Sequence, residues 1–150
     1  MRREDMNLDD RVKKMTAYLL AFRQLQDQSD TAFLASLGGL NLPQLNVLNV
    51  IGDSEPCTMG EIAKRVALSL SSVTLIVDKL LKLKLVLRVR GKTDRRIVYA
   101  KLTPEGQKIY QVQIEHMHRV GNKMLSVLTP EEQEMLLQIL HKLTAQPQIA

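Results

Sequence analysis

The sequence predicts a mainly α-helical fold carrying one small β-hairpin. Three observations lead there. Along most of the chain, apolar residues recur at steps of three and four, the spacing of one helix face. Ser or Thr stands just before several of these stretches, where a side-chain oxygen can cap a helix. Only "VLRVR" and "RIVYAKL" alternate with a period of two, as strands do.

The elements follow in order. Residues 8–26 read as a helix, with Leu8, Val12, Met15, Leu19 and Phe22 along one stripe. Residues 31–37 read as a separate short helix stopped by Gly38-Gly39. Pro43 opens another short helix carrying Leu45, Leu48 and Ile51, ended by Gly52, and "DSEP" is a turn cluster. Thr58 and Glu61 have capping-box spacing ahead of Ile62, Ala63 and Val66, which face inward with Met59. After a break, Ser69 caps a helix that buries Val73, Val77 and Leu80 with Ile76 beside them. Its other side shows Ser71, Ser72, Thr74, Leu75, Asp78, Lys79 and Lys82. The two strands come next, joined by "GKTDR". Thr103-Pro104 starts a helix to about Leu128, weakened at Gly121, and Thr129-Pro130 starts the last one. The tail "AQPQIA" is expected to fray.

Composition narrows the function. With 150 residues and 45% hydrophobic content the chain suits one ordinary domain with a real core. No apolar run approaches the roughly 20 residues of a membrane-spanning helix. The N-terminus "MRREDMNLDD" lacks the apolar stretch of a secretory signal. One cysteine, Cys57, excludes an internal disulfide and suits a reducing cytoplasm. The net charge of +5 is unevenly spread: residues 57–101 hold 11 Lys/Arg against 3 Asp/Glu, the remainder 10 against 13. A basic middle third points to a polyanion partner, or else to a solvated basic face. No phosphate loop, nucleophile motif or paired carboxylate site appears, so the chain is not read as an enzyme and no cofactor is implied.

The most basic stretch is "RVRGKTDRR", Arg88 to Arg96, at the hairpin tip. Two short helices, the second with a polar front, followed by a basic hairpin, form the layout of a winged helix-turn-helix. A helix fits the major groove of DNA, and a basic ribbon beside it can straddle phosphates and reach the minor groove. Gly91 lets the ribbon turn, and Asp94 is placed to hold an arginine by a bidentate pair.

The segment "SSVTLIVDKLLKLKLVLRVRGKTDRRIVYAKLTPEG" resembles the MarR family of bacterial transcriptional regulators. The pieces that carry the likeness are "SSVT..VDKL" in the second helix, "TDRR" in the wing and the "LTPEG" exit. "LNLPQLNVLNVIG" matches the helix before the reading head. The resemblance implies one MarR-like domain: a reading head at about 40–102, with helices at 8–37 and 104–145 joining two copies. It implies a homodimer that represses transcription from a pseudo-palindromic operator and is released by a small-molecule effector. The DNA-binding candidates are Ser69, Ser71, Ser72, Thr74, Leu75 and Lys79 on the helix. In the wing they are Arg88, Arg90, Lys92, Asp94, Arg95 and Arg96, with Asp94 pairing a nearby arginine. Tyr18, Phe22, Arg23 and Phe33 are candidates for an effector pocket, or are simply core.

Three departures from the family pattern stand out. Leu75 replaces an arginine common in relatives, so an apolar contact such as a thymine methyl replaces a guanine reader. Lys84 stands where relatives have Gly, and a left-handed backbone there would cost about 1 kcal/mol. The wing tip is more basic than is common. Together they suggest affinity drawn from phosphate and minor-groove charge, with fewer bases read by paired hydrogen bonds.

The remaining candidates are weaker. Cys57, just before a helix start, is either a redox sensor or a small structural residue. His116 and His118 lie two apart, so on a helix their rings point to opposite faces and cannot share a metal. The alternative to the regulator is a protein-interaction module or a low-specificity DNA binder, for which exposed Leu75 would be the signature.

Overall fold

The computed structural model describes residues 7–145, apart from the side chains of residues 27–29. The N-terminal stretch read as no signal and the frayed tail lie largely outside the described residues.

Helix α1 spans Leu8–Ser36, and the Asn7 side chain caps it by accepting from the Asp10 N–H at 2.9 Å. The sequence suggested two helices here; the chain forms one. The polar run 27–30 interrupts the apolar stripe, but it contains neither Pro nor Gly, so the backbone ladder continues. The helix stops where expected, at Gly38 and Gly39, both at positive φ.

Helix α2 spans Leu42–Asp53 and starts with a capping box between Asn41 and Gln44. Gly52 does not end it. A Cβ at Gly52 would sit 2.5 Å from the Tyr110 ring, so this glycine allows the close approach of a later helix. Beside it, the Tyr110 hydroxyl donates to Asp53 Oδ1 at 2.7 Å.

A short strand β1, Cys57–Thr58, leads into α3, Met59–Val66. Helix α4 follows at Leu70–Lys82, then strands β2 at Val86–Arg90 and β3 at Val98–Leu102. The expected hairpin is therefore part of a three-stranded antiparallel sheet in the order β1-β3-β2. Two residues are too few to show an alternating pattern, which is why β1 left no mark in the sequence. Register is set by Cys57 opposite Ala100 and Arg88 opposite Ala100 on the other side.

Helices α5, Pro104–Leu125, and α6, Pro130–Thr144, complete the chain. Thr103 and Thr129 cap them as predicted, but α5 ends a turn earlier than Leu128. The core lies between α2, α3, α4 and the sheet: Leu48, Ile51, Ile62, Val73, Val77 and Leu80 are all fully buried. By contrast, no described residue of α1 or α6 is buried. Leu8, Leu19 and Leu25 on α1, and Met135, Leu137 and Leu143 on α6, are more than half exposed.

Candidate nucleic-acid interface

The candidate reading helix is fixed from below. Val73, Val77 and Leu80 each have 0% exposure and pin α4 onto α2 and α3. The entry to α4 is set by α3. Thr58 and Glu61 close a reciprocal capping box: the Thr58 N–H donates to the Glu61 carboxylate at 2.8 Å and the Glu61 N–H to the Thr58 hydroxyl oxygen at 3.2 Å. The Thr58 N–H and, at 2.9 Å, the Thr58 hydroxyl both donate to that carboxylate and lower its pKa. Helix α3 ends on Ala67 in the left-handed region, φ 54, and the Leu68 N–H returns to the Ala63 carbonyl at 3.1 Å. That left-handed alanine was invisible in the sequence, because Gly usually marks such a turn.

Ser69 caps α4 by accepting from the Ser72 N–H at 3.2 Å. Its hydroxyl also meets those of Ser71 at 3.0 Å and Ser72 at 2.8 Å. The Thr74 hydroxyl donates to the Leu70 carbonyl at 2.8 Å. Leu75 is 65% exposed, and Lys79 is exposed one turn further on.

Helix α4 hands over to the wing at Lys84, which adopts φ 59. The left-handed lysine anticipated from the missing glycine is therefore present. Its carbonyl accepts from the Thr103 hydroxyl at 2.7 Å.

The wing loop closes through Gly91 and Asp94. The Gly91 N–H donates to the Ile97 carbonyl at 2.9 Å, and the Ile97 N–H to the Asp94 carbonyl at 3.2 Å. A Cβ on Gly91 would lie 2.5 Å from that Asp94 oxygen. The Asp94 carboxylate accepts from the backbone N–H of Arg96 at 2.9 Å. This corrects the expected side-chain pair: Asp94 shapes the loop through backbone, as an Asx turn does, and not through a guanidinium.

The guanidinium pair lies elsewhere. Arg88 Nη2 on β2 donates to Asp78 Oδ1 on α4 at 2.7 Å. No local pattern marks it, though one clue exists. Asp78 is one of only three acids in the basic stretch 57–101, and an acid there needs a reason. All three have one: Glu61 caps α3, Asp94 folds the wing loop, and Asp78 ties helix to wing. Arg90, Lys92, Arg95 and Arg96 are exposed, and no ion pair among the described residues holds them.

A second feature lies between α1 and α5. A cavity of about 500 Å³ is lined by Phe22, Leu25, Gln26, Asp30, Val120, Lys123 and Met124. Of the four residues proposed for an effector pocket, Phe22 lines it. Tyr18 lies a turn away, 66% exposed, and Arg23 is not part of the lining. Phe33 stacks on His116, with ring centroids 4.0 Å apart and planes 6° from parallel. His116 is buried and its Nε2 lies 3.3 Å from Asp30 Oδ1, whereas His118 is exposed on the opposite face. Lys123 and Met124 carry no local signal of this cavity, because it forms only where α5 meets α1.

Cys57 is buried and its thiol donates to the Ser54 carbonyl at 3.1 Å. Burial, then the nearby Glu61 charge, pushes its pKa up. The position before a helix start therefore does not lower it.

The family model for the MarR family matches residues 40–98. The HTH-type transcriptional regulator MhqR of Bacillus subtilis is 30% identical over 105 residues, 69% of this chain and 72% of that protein. The chain belongs to the MarR family. The regulator YfiV of Bacillus subtilis is 32% identical over 95 residues, 63% of this chain but only 59% of YfiV. Among solved structures, Streptococcus pneumoniae FabT, in complex with DNA, superposes with a TM-score of 0.79. It is 20% identical and covers 89% of this chain and 94% of FabT, a likeness of fold. The matched segment 40–98 contains the capped α3, α4 and most of the wing of this MarR-family chain.

Proposed function

We propose that this MarR-family chain is a single-domain, cytoplasmic, sequence-specific binder of double-stranded DNA. It acts as a homodimeric repressor on a pseudo-palindromic operator and is released by a small-molecule effector. The observation that carries the DNA reading is the wing: Arg90, Lys92, Arg95 and Arg96 are exposed beside the polar face of α4, with the local acids committed to internal partners. Such cations suit the phosphate backbone, and a firmly seated helix with short polar side chains suits a major groove. FabT, of the same fold, is bound to DNA in its crystal structure.

The dimer reading rests on α1 and α6. Two helices with apolar stripes and no buried described residue leave a large unpaired surface. The effector reading rests on the cavity at Phe22, with Lys123 as a cation in its lining. Among the described residues, no helix is long and apolar enough to cross a membrane.

The test is selection of bound duplexes from a random pool, with affinity measured against salt. A dimer placing four wing cations per protomer on phosphates should show a log–log slope of about −7. Enrichment of a pseudo-palindrome with such a slope supports the regulator. Steep salt dependence without enrichment indicates a low-specificity binder. Salt-insensitive or absent binding favours the protein-interaction module, for which exposed Leu75 is the specific observation.

A further inference from the structure

We propose that Leu75 reads thymine through its C5-methyl group, so that each half-site bound by this chain carries a thymine against Leu75. The proposal rests on the DNA reading above and adds the base class that the helix selects.

Leu75 is 65% exposed at the middle of a helix whose other face is fully buried at Val73 and Val77. A leucine there contributes nothing to the core. Its position is nevertheless fixed, because the helix beneath it cannot rotate without lifting those two valines. Ser71, Leu75 and Lys79 follow at steps of four and form one stripe along α4.

The neighbours leave the polar edges of bases poorly served. The Thr74 hydroxyl spends its proton on the Leu70 carbonyl. The Ser69 hydroxyl is within hydrogen-bond distance of the hydroxyls of both Ser71 and Ser72. The wing arginine that reaches α4, Arg88, is held there by Asp78. Helix α4 carries no arginine; its exposed cations are Lys79, one turn beyond Leu75, and Lys82, so no guanidinium fork stands at the level of Leu75.

Base chemistry then decides between partners. In the major groove only thymine presents a methyl; guanine and adenine present hydrogen-bonding groups, and cytosine its N4 amino group with a bare C5–H in the methyl's place. Pressing Leu75 onto those groups would strip them of water without replacing the hydrogen bond, which is unfavourable. Against a thymine methyl the same approach buries apolar surface on both sides.

The experiment uses the full chain and its own selected duplex. Thymines are replaced one at a time, symmetrically in both half-sites, by deoxyuridine, which differs only in lacking the methyl. At one position the wild-type protein should lose about fourfold in affinity per methyl, or about 15-fold for the symmetric pair. Leu75→Ala should bind the parent duplex more weakly and show no further loss at that position. Selection with Leu75→Arg should move the preferred base there to guanine. Circular dichroism of both variants should match the wild type, since the residue is exposed.

Wild-type binding that is selective yet indifferent to every deoxyuridine overturns the thymine proposal and leaves the DNA reading standing. So does an equal deoxyuridine penalty in Leu75→Ala. Absence of salt-sensitive duplex binding overturns the DNA reading itself, and this proposal with it.

Discussion

Arg88 on β2 and Asp78 on α4 meet at 2.7 Å, and theirs is the ion pair that joins the wing to the helix beside it. Both side chains are about two-fifths exposed, so the pair contributes less than about 1 kcal/mol to stability. Its consequence is geometric. It engages one of the five wing-region cations, Arg88, and sets the spacing between α4 and the wing, the two elements proposed to face DNA.

Asp78→Asn should therefore act on discrimination more than on folding. Removing a negative charge beside the wing tightens binding to scrambled DNA, while loosening the tie costs the correct fit. The ratio of selected to scrambled affinity should fall about three- to tenfold, in line with the loss of roughly 1 kcal/mol of specific fit. Paired titrations against the two duplexes check this; an unchanged ratio would remove the tie from the account.

Arg96→Ala removes an exposed wing cation whose backbone N–H, not its guanidinium, is used by Asp94. The loop should persist, because that hydrogen bond survives the substitution. Affinity should fall on all sequences alike, and the salt slope should flatten by about 2 for a dimer, one phosphate contact per protomer. Affinity measured at a series of salt concentrations reads both quantities.

Two backbone positions should move stability in opposite directions. Gly52→Ala forces a Cβ against the Tyr110 ring and should lower stability by roughly 1–3 kcal/mol. Lys84→Gly relieves a left-handed lysine and should raise stability by about 0.5–1 kcal/mol after the added freedom of the unfolded chain is counted. Thermal melts of both variants decide the signs.

Cys57 should resist modification. Its thiol is buried, donates to Ser54 and has a raised pKa, so little thiolate forms at neutral pH. A thiol reagent should react slowly with the folded chain and quickly once it is unfolded. The sign of the pH effect follows from linkage. Up to the ordinary thiol range the two states hold the same proton. Above it the unfolded chain releases the proton first, so stability falls with rising pH. Cys57→Ser should flatten that fall in denaturation curves taken across the alkaline range.

The proposed dimer can be tested without touching the reading head. Leu143 on α6 is 62% exposed, so Leu143→Glu leaves the buried core intact. Sedimentation should show a shift towards monomer with helical content retained; an unshifted dimer would place the contact elsewhere.

Local chemistry was the most legible part of this sequence. The caps at Thr58, Ser69, Thr103 and Thr129 and the buried stripe of α4 depend on residues three or four apart, and all were readable. Even the strained Lys84 could be anticipated from a missing glycine. The failures were of two kinds. Where a helix ran through polar residues, as at 27–30, the hydrophobic period vanished although the helix did not. Where the cause was a distant neighbour, no local signal existed. Gly52 answers to Tyr110, β1 answers to β3, and Asp78 answers to Arg88. The wing cations were named in advance, but which of them is engaged depended on a contact ten residues away in sequence.

The Thr103 hydroxyl accepts from the Gly106 N–H at 3.0 Å and donates to the Lys84 carbonyl at 2.7 Å, while its own N–H reaches the Leu85 carbonyl at 3.0 Å. One residue thus stitches the root of the wing, the exit of α4 and the first turn of α5 into a single knuckle. There is no slack loop between α5 and the wing. On the proposed reading, a tilt imposed on α5 by a second copy, or by a molecule wedged at Phe22, would be levered onto the angle of the wing.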